Sequence, residues 1–117
     1  VMAEEIFGPV LPLLTYNSLD EVYALIRSKD KPLALYIFSR SGSRTEEILK
    51  NTRAGGTSIN PTIIHLLNPR LPFGGVGPSG AGSYHGHFGF KAFSHERAVL
   101  KQGPAIVRGL FFCGGKP

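Results

Sequence analysis

The chain has 117 residues, 42% hydrophobic and 18% charged, with a formal net charge of +5 and one cysteine. That composition belongs to a folded chain, and the length allows one domain at most; because a chain this short hides only about 60–70% of its unfolded surface, a partial domain would stand near the margin of stability. Cys113 alone excludes an internal disulfide, no apolar run reaches the roughly 18 residues of a membrane span, and Lys and Arg are scattered singly, which speaks against a nucleic-acid partner.

Val10 to Tyr16 is a short apolar run expected to be a buried strand, with Pro12 arguing for an edge or a bulge. Ser18 with Glu21 three residues on forms a capping box, and Leu19, Val22, Leu25 and Ile26 recur at helical spacing to about Arg27. Leu33 to Ser39 is continuous and apolar, as in a strand covered on both faces. Ser43 with Glu46 repeats the capping box for a helix over 45–52, and Gly55-Gly56 is expected to end it before a strand at 57–59. Strand, helix, strand, helix, strand is the pattern of an α/β fold with parallel β/α layers.

From Asn60 to Gly89 four prolines and seven glycines between Gly74 and Gly89 predict a long loop region. Residues 92–101 are expected to form a last strand, and residues 102–117 a tail. The first residues, Val1 onward, run into a structured motif without a charged leader, as expected of a chain cut from a longer one in the cytoplasm. Leu110-Phe111-Phe112 beside Cys113 leaves membrane association through a lipidated cysteine open, with apolarity its only support.

Gly75-Val76-Gly77-Pro78-Ser79-Gly80 spells the dinucleotide pattern G-x-G-x-x-G, but no strand precedes it and no helix opens from it, so it is not read as one. His65, His85, His87 and His95 match no zinc spacing, so no metal is expected, and Cys113 sits in a tail with no framework for catalysis. Two stretches are more informative. In Glu4-Glu5-Ile6-Phe7-Gly8-Pro9 a carboxylate and an aromatic ring two residues apart can point the same way; a carboxylate can accept from two sugar hydroxyls and a ring can lie on a planar heterocycle. In Leu71-Pro72-Phe73-Gly74-Gly75-Val76-Gly77-Pro78-Ser79-Gly80, glycines let the backbone of a turn that carries Phe73 approach a ligand or a neighbouring chain. Core packing explains either stretch as well.

Together these stretches resemble the aldehyde dehydrogenase superfamily, whose E-E-I-F-G-P and P-F-G-G-x-x-x-S-G motifs occur in this order. Lys31 to Tyr36, Leu71 to Gly77, Gly82 to Gly86 and Phe93-Ser94-His95 resemble its class 3 branch, which includes the fatty aldehyde enzymes. The resemblance covers residues 1–101 and implies the C-terminal part of the catalytic domain, with an oligomerisation strand at 92–101 through which homodimers would pair. It implies that Glu5 hydrogen-bonds the nicotinamide ribose of NAD or NADP, that Phe7 packs near the nicotinamide, and that Phe73 lines the aldehyde tunnel with Asn60, His65 and His85 nearby. It also implies that no catalytic residue lies in this chain, the family's cysteine and glutamate being upstream. The departures are Gly89 within a short helical stretch and the tail. A chain acting only as a subunit-interaction module, docking through a sheet edge, is the competing expectation.

Overall fold

The computed structural model describes Met2, Glu4 and residues 6–101. Glu5, the tail and Cys113 therefore lie outside the described residues.

Three α-helices and two strands follow in the order α1 (Leu19–Arg27), β1 (Ala34–Ile37), α2 (Gly42–Asn51), β2 (Gly56–Ile59) and α3 (Gly86–Ala92). Helix α1 begins where the sequence predicts it. Ser18 Oγ accepts from Glu21 N–H, while the Glu21 carboxylate reaches one residue further back, accepting from Asn17 N–H at 3.0 Å. Two otherwise orphaned donors at the helix start are thereby satisfied.

Helix α2 starts earlier than the Ser43 and Glu46 pair predicts. Ser41 is the cap, its Oγ accepting from Arg44 N–H, and Ser43 falls in the first turn with its hydroxyl 3.0 Å from that of Ser41. Extended backbone at Ser41 (φ −95°, ψ 114°) lets it accept from the first turn, which is what selects it over Ser43. The helix also ends before the glycines, at Asn51. Thr52 is already extended, with its hydroxyl donating to Ile48 O at 2.7 Å.

Strands β1 and β2 are parallel neighbours in the register Ala34↔Gly56 to Ile37↔Ile59, and α2 is their crossover. Helices α1 and α2 are joined by Tyr23 Oη donating to Glu47 Oε1 at 3.2 Å and Arg27 Nη2 donating to Asn51 Oδ1 at 3.3 Å. Tyr23 and Ile37 are the buried apolar side chains among the described residues, with Thr45 and Ser58 beside them in the buried set. Burial, and then the Glu47 carboxylate, hold the Tyr23 phenol above the ordinary 10.0. The folded chain thus binds that proton more tightly than the unfolded chain does. The resulting stability is intact below pH 10 and is lost as the pH rises through the raised value. In urea melts at about pH 9 and about pH 11, Tyr23→Phe should show a smaller alkaline loss of stability than the parent; an equal loss would mean that Tyr23 does not carry it.

Two expectations are corrected. Residues 10–16 form no strand: Leu11 and Leu13 are 80% and 86% exposed, because an apolar run becomes a strand only against a partner edge and no described residue supplies one. Strand β1 is shorter than the apolar run 33–39, spanning Ala34–Ile37, with Ile37 buried on one face and Tyr36 half-exposed on the other. Ala92 closes α3, which forms despite Gly89, and residues 93–101 make no ladder within the chain alone, Phe93 and Leu100 being exposed. Lys91 Nζ of α3 lies 2.7 Å from Glu96 Oε1, and the hydrogen bond from Lys91 holds the Glu96 carboxyl below the usual carboxylate range.

Candidate functional site

The chain leaves the carboxyl end of the parallel pair at Asn60, where α/β folds place ligands. Asn60 has φ +70°, a conformation that asparagine tolerates better than most residues. Its N–H donates to Ile37 O at 2.7 Å, and its Oδ1 accepts from Ser39 N–H at 2.9 Å, so it locks the ends of both strands together. The amide NH2 is the half of this side chain left to reach a ligand.

Ile63 then takes φ +62°, a strained conformation for a β-branched residue, and a short 3-10 turn at Ile64–Leu67 follows. This turn brings His65 back onto the sheet. Its ring meets Tyr36 edge-on at 5.8 Å and lies against Gly56, and both ring nitrogens are shielded from solvent without a hydrogen-bond partner among the described residues. His65 is therefore a side chain packed on β1 and β2.

Phe73 and Tyr84 form an isolated antiparallel bridge, exchanging backbone hydrogen bonds of 2.9 and 2.8 Å. The bridge closes the glycine-rich loop between them and sets three rings together. Phe73 meets Tyr84 edge-on at 5.6 Å, Tyr84 meets His85 edge-on at 4.5 Å, and Phe73 stacks on His85 at 5.4 Å with 23° between the planes. Such pairs add about 0.5–1.5 kcal/mol each beyond the area they bury. The loop can close this tightly because Gly74 has no Cβ, which would otherwise run into the carbonyl oxygen of Gly82. Inside the loop, Ser79 Oγ accepts from Val76 N–H at 2.9 Å and holds a single 3-10 turn at Gly77–Ser79.

Of the residues singled out in the sequence, the structure brings Phe73 and His85 into one cluster, leaves His65 with Tyr36, and puts Asn60 at the strand ends. The Phe7 ring, just before a bend at Gly8-Pro9, is 94% exposed and packs on none of them. Tyr84 is the member that sequence reasoning misses: its place opposite Phe73 depends on a bridge across ten loop residues. The adjacent aromatic pair Tyr84-His85 between glycines is the only signal it leaves. Among the described residues no group of three or more His, Cys, Asp or Glu is placed to hold a metal ion, and no helix is long and apolar enough to cross a membrane.

The site thus consists of a parallel β/α unit and a glycine-closed aromatic cluster. The aldehyde dehydrogenase family model matches residues 1–99, and the chain belongs to that family. It is 58% identical over 102 residues to an aldehyde dehydrogenase of Craterostigma plantagineum, which covers 87% of this chain and 21% of that protein. It is 52% identical over 100 residues to aldehyde dehydrogenase family 3 member H1 of Arabidopsis thaliana, covering 86% of this chain and 21% of that one. The substrate-bound structure of Staphylococcus aureus AldH superposes with a TM-score of 0.77 at 47% identity, over 94% of this chain and 26% of that chain. The chain thus spans about a fifth to a quarter of the relatives it matches, and its α/β architecture with a parallel sheet is that of part of the family's fold.

Proposed function

We propose that this chain is the C-terminal catalytic and subunit-contact part of an NAD(P)-dependent aldehyde dehydrogenase that oxidises fatty or aromatic aldehydes to carboxylic acids. The observation that carries the reading is the Phe73–Tyr84–His85 cluster, an apolar wall fixed by a backbone bridge rather than by side-chain packing alone. A wall of this kind selects by shape and apolar contact, which suits a hydrocarbon or aromatic aldehyde. The nucleophilic cysteine and the glutamate base lie outside this chain in this reading.

Phe7 fits a nicotinamide partner. A large ring held almost wholly in solvent has its face free for a planar heterocycle, and stacking there would fix which side of that heterocycle meets the aldehyde. NAD or NADP, when bound, supplies the acceptor for the two electrons leaving the aldehyde carbon. Glu5, two residues earlier, is the proposed acceptor for the ribose hydroxyls. Around the aldehyde, Phe73 and His85 exclude water and orient the chain of the substrate, and the Asn60 amide NH2 and the shielded ring of His65 complete the surroundings of the tunnel. Residues 93–101, which make no ladder in the chain alone, pair with a neighbouring subunit to form a homodimer.

The experiment is to follow reduced-cofactor absorbance with the complete protein that carries this chain, supplied with NAD or NADP and aldehydes of increasing length. No reduction with any aldehyde would overturn the reading. Phe7→Ser should raise the cofactor KM about tenfold, equivalent to about 1.4 kcal/mol of lost contact, with the melting temperature unchanged because the ring is solvated in this fold. An unchanged KM would remove Phe7 from the cofactor site.

A further inference from the structure

The sequence scatters its basic residues, but the fold gathers four of the thirteen around one cavity. At the amino ends of the two strands, a cavity of about 220 Å³ is lined by Ile26, Arg27, Lys29, Lys31, Asn51, Thr52 and Arg53. Among the described residues, no carboxylate lines it.

Two of the four cations have local reasons for their positions. Arg27 ends α1, where the helix dipole favours a positive charge; it also lies 6.0 Å from the Tyr23 ring and donates to Asn51. Lys29 donates to Met2 O at 2.9 Å. Lys31 and Arg53 lie in neither helix, and neither makes a side-chain hydrogen bond or an ion pair among the described residues. Each stands three residues before its strand, and the ladder continues back through Gly55 N–H to Pro32 O and Gly56 N–H to Leu33 O. Parallel pairing of the strands that follow them thus brings both cations to the same cavity. Like charges gathered around one cavity repel one another unless something neutralises them.

We infer that this cavity is a binding site for a small phosphate-bearing anion, held chiefly by Lys31 and Arg53 with Arg27 and Lys29 completing the positive wall. A guanidinium gives phosphate oxygens two parallel hydrogen bonds and an ammonium supplies a point charge, the usual division of work between these groups. The volume is below the roughly 300–1,000 Å³ of sites for drug-sized ligands, which favours one or two phosphoryl groups over a dinucleotide. None of its lining residues is among those assigned above to the cofactor or the aldehyde.

Isothermal titration of pyrophosphate into the complete protein at constant ionic strength tests it. The expected result is a saturable event that weakens at least tenfold in the double variant Lys31→Gln, Arg53→Gln and survives in Arg44→Gln, which removes a charge from α2 away from the cavity. Lys31→Arg, which keeps the charge, should retain binding that Lys31→Gln loses, and this pair decides the matter should the double variant fail to fold. Co-sedimentation with phosphatidylcholine vesicles containing phosphatidic acid separates the sources: retention lost in the Gln variants without binding of free pyrophosphate assigns the phosphate to a lipid headgroup. Binding of neither probe, or an equal loss in Arg44→Gln, overturns the inference.

Discussion

Replacing Phe73 by alanine in the complete protein should lower kcat/KM for aromatic and long-chain aldehydes by about 10–200-fold while acetaldehyde loses much less, because the ring is a wall that only a bulky substrate touches. Two contributions must be separated. Phe73 is also a structural residue, half-buried and in contact with Tyr84 and His85, so its removal costs stability through two aromatic pairs of about 0.5–1.5 kcal/mol each. Stability loss lowers the rates for all aldehydes alike. A lost wall changes their ratio, so the ratio of kcat/KM for a long and a short aldehyde is the quantity to measure, beside the melting temperature. Phe73→Leu, which keeps the apolar volume, should restore most of the ratio. If the ratio is the same in parent and Phe73→Ala, the ring does not face substrate and the aromatic cluster is packing alone.

Gly55→Ala should destabilise the fold by about 3 kcal/mol, at the upper end of what overpacking costs. A Cβ at Gly55 would run into the carbonyl oxygens of Gly74 and Leu33 and the Cα of Gly75, all of them backbone atoms that cannot rotate aside as a side chain would. Gly55 is thus where the start of β2 lets the glycine loop of the candidate site dock onto the sheet. The same substitution at Gly42 should have the opposite sign. Nothing lies within 4 Å of a Cβ there, and Gly42 is the first residue of α2, so alanine should stabilise by about 0.4–1 kcal/mol by restricting the unfolded chain. Urea melts of the two variants check both signs. A neutral Gly55→Ala would mean that the loop and the sheet are not in contact at this point.

Much of the local structure is legible in the sequence because its causes are local. Ser18 and Glu21 start α1 through hydrogen bonds spanning three or four residues, and the apolar stretch around Leu35 becomes β1. The sequence misleads where the cause is distant. Ser41 and Ser43 are equally good caps by composition, and only the direction in which the chain leaves β1 decides between them. The run at 10–16 reads as a strand because its residues suit burial, but a strand exists only with a partner, and a partner is not written into the run itself.

By itself the sequence determined the α/β class, the glycine-rich loop, and the two motifs that resemble the aldehyde dehydrogenases, since patterning and residue type at fixed spacing are enough for each. The tertiary structure decided which of those residues meet. It set Tyr84 opposite Phe73 across ten residues, packed His65 on Tyr36, and drew Arg53 to the same cavity as Lys31 from 22 positions away through the parallel pairing. The physical reason is common to all three: pairing between backbones is indifferent to sequence separation, so side chains far apart in the chain become neighbours only once the ladder and the loop have closed.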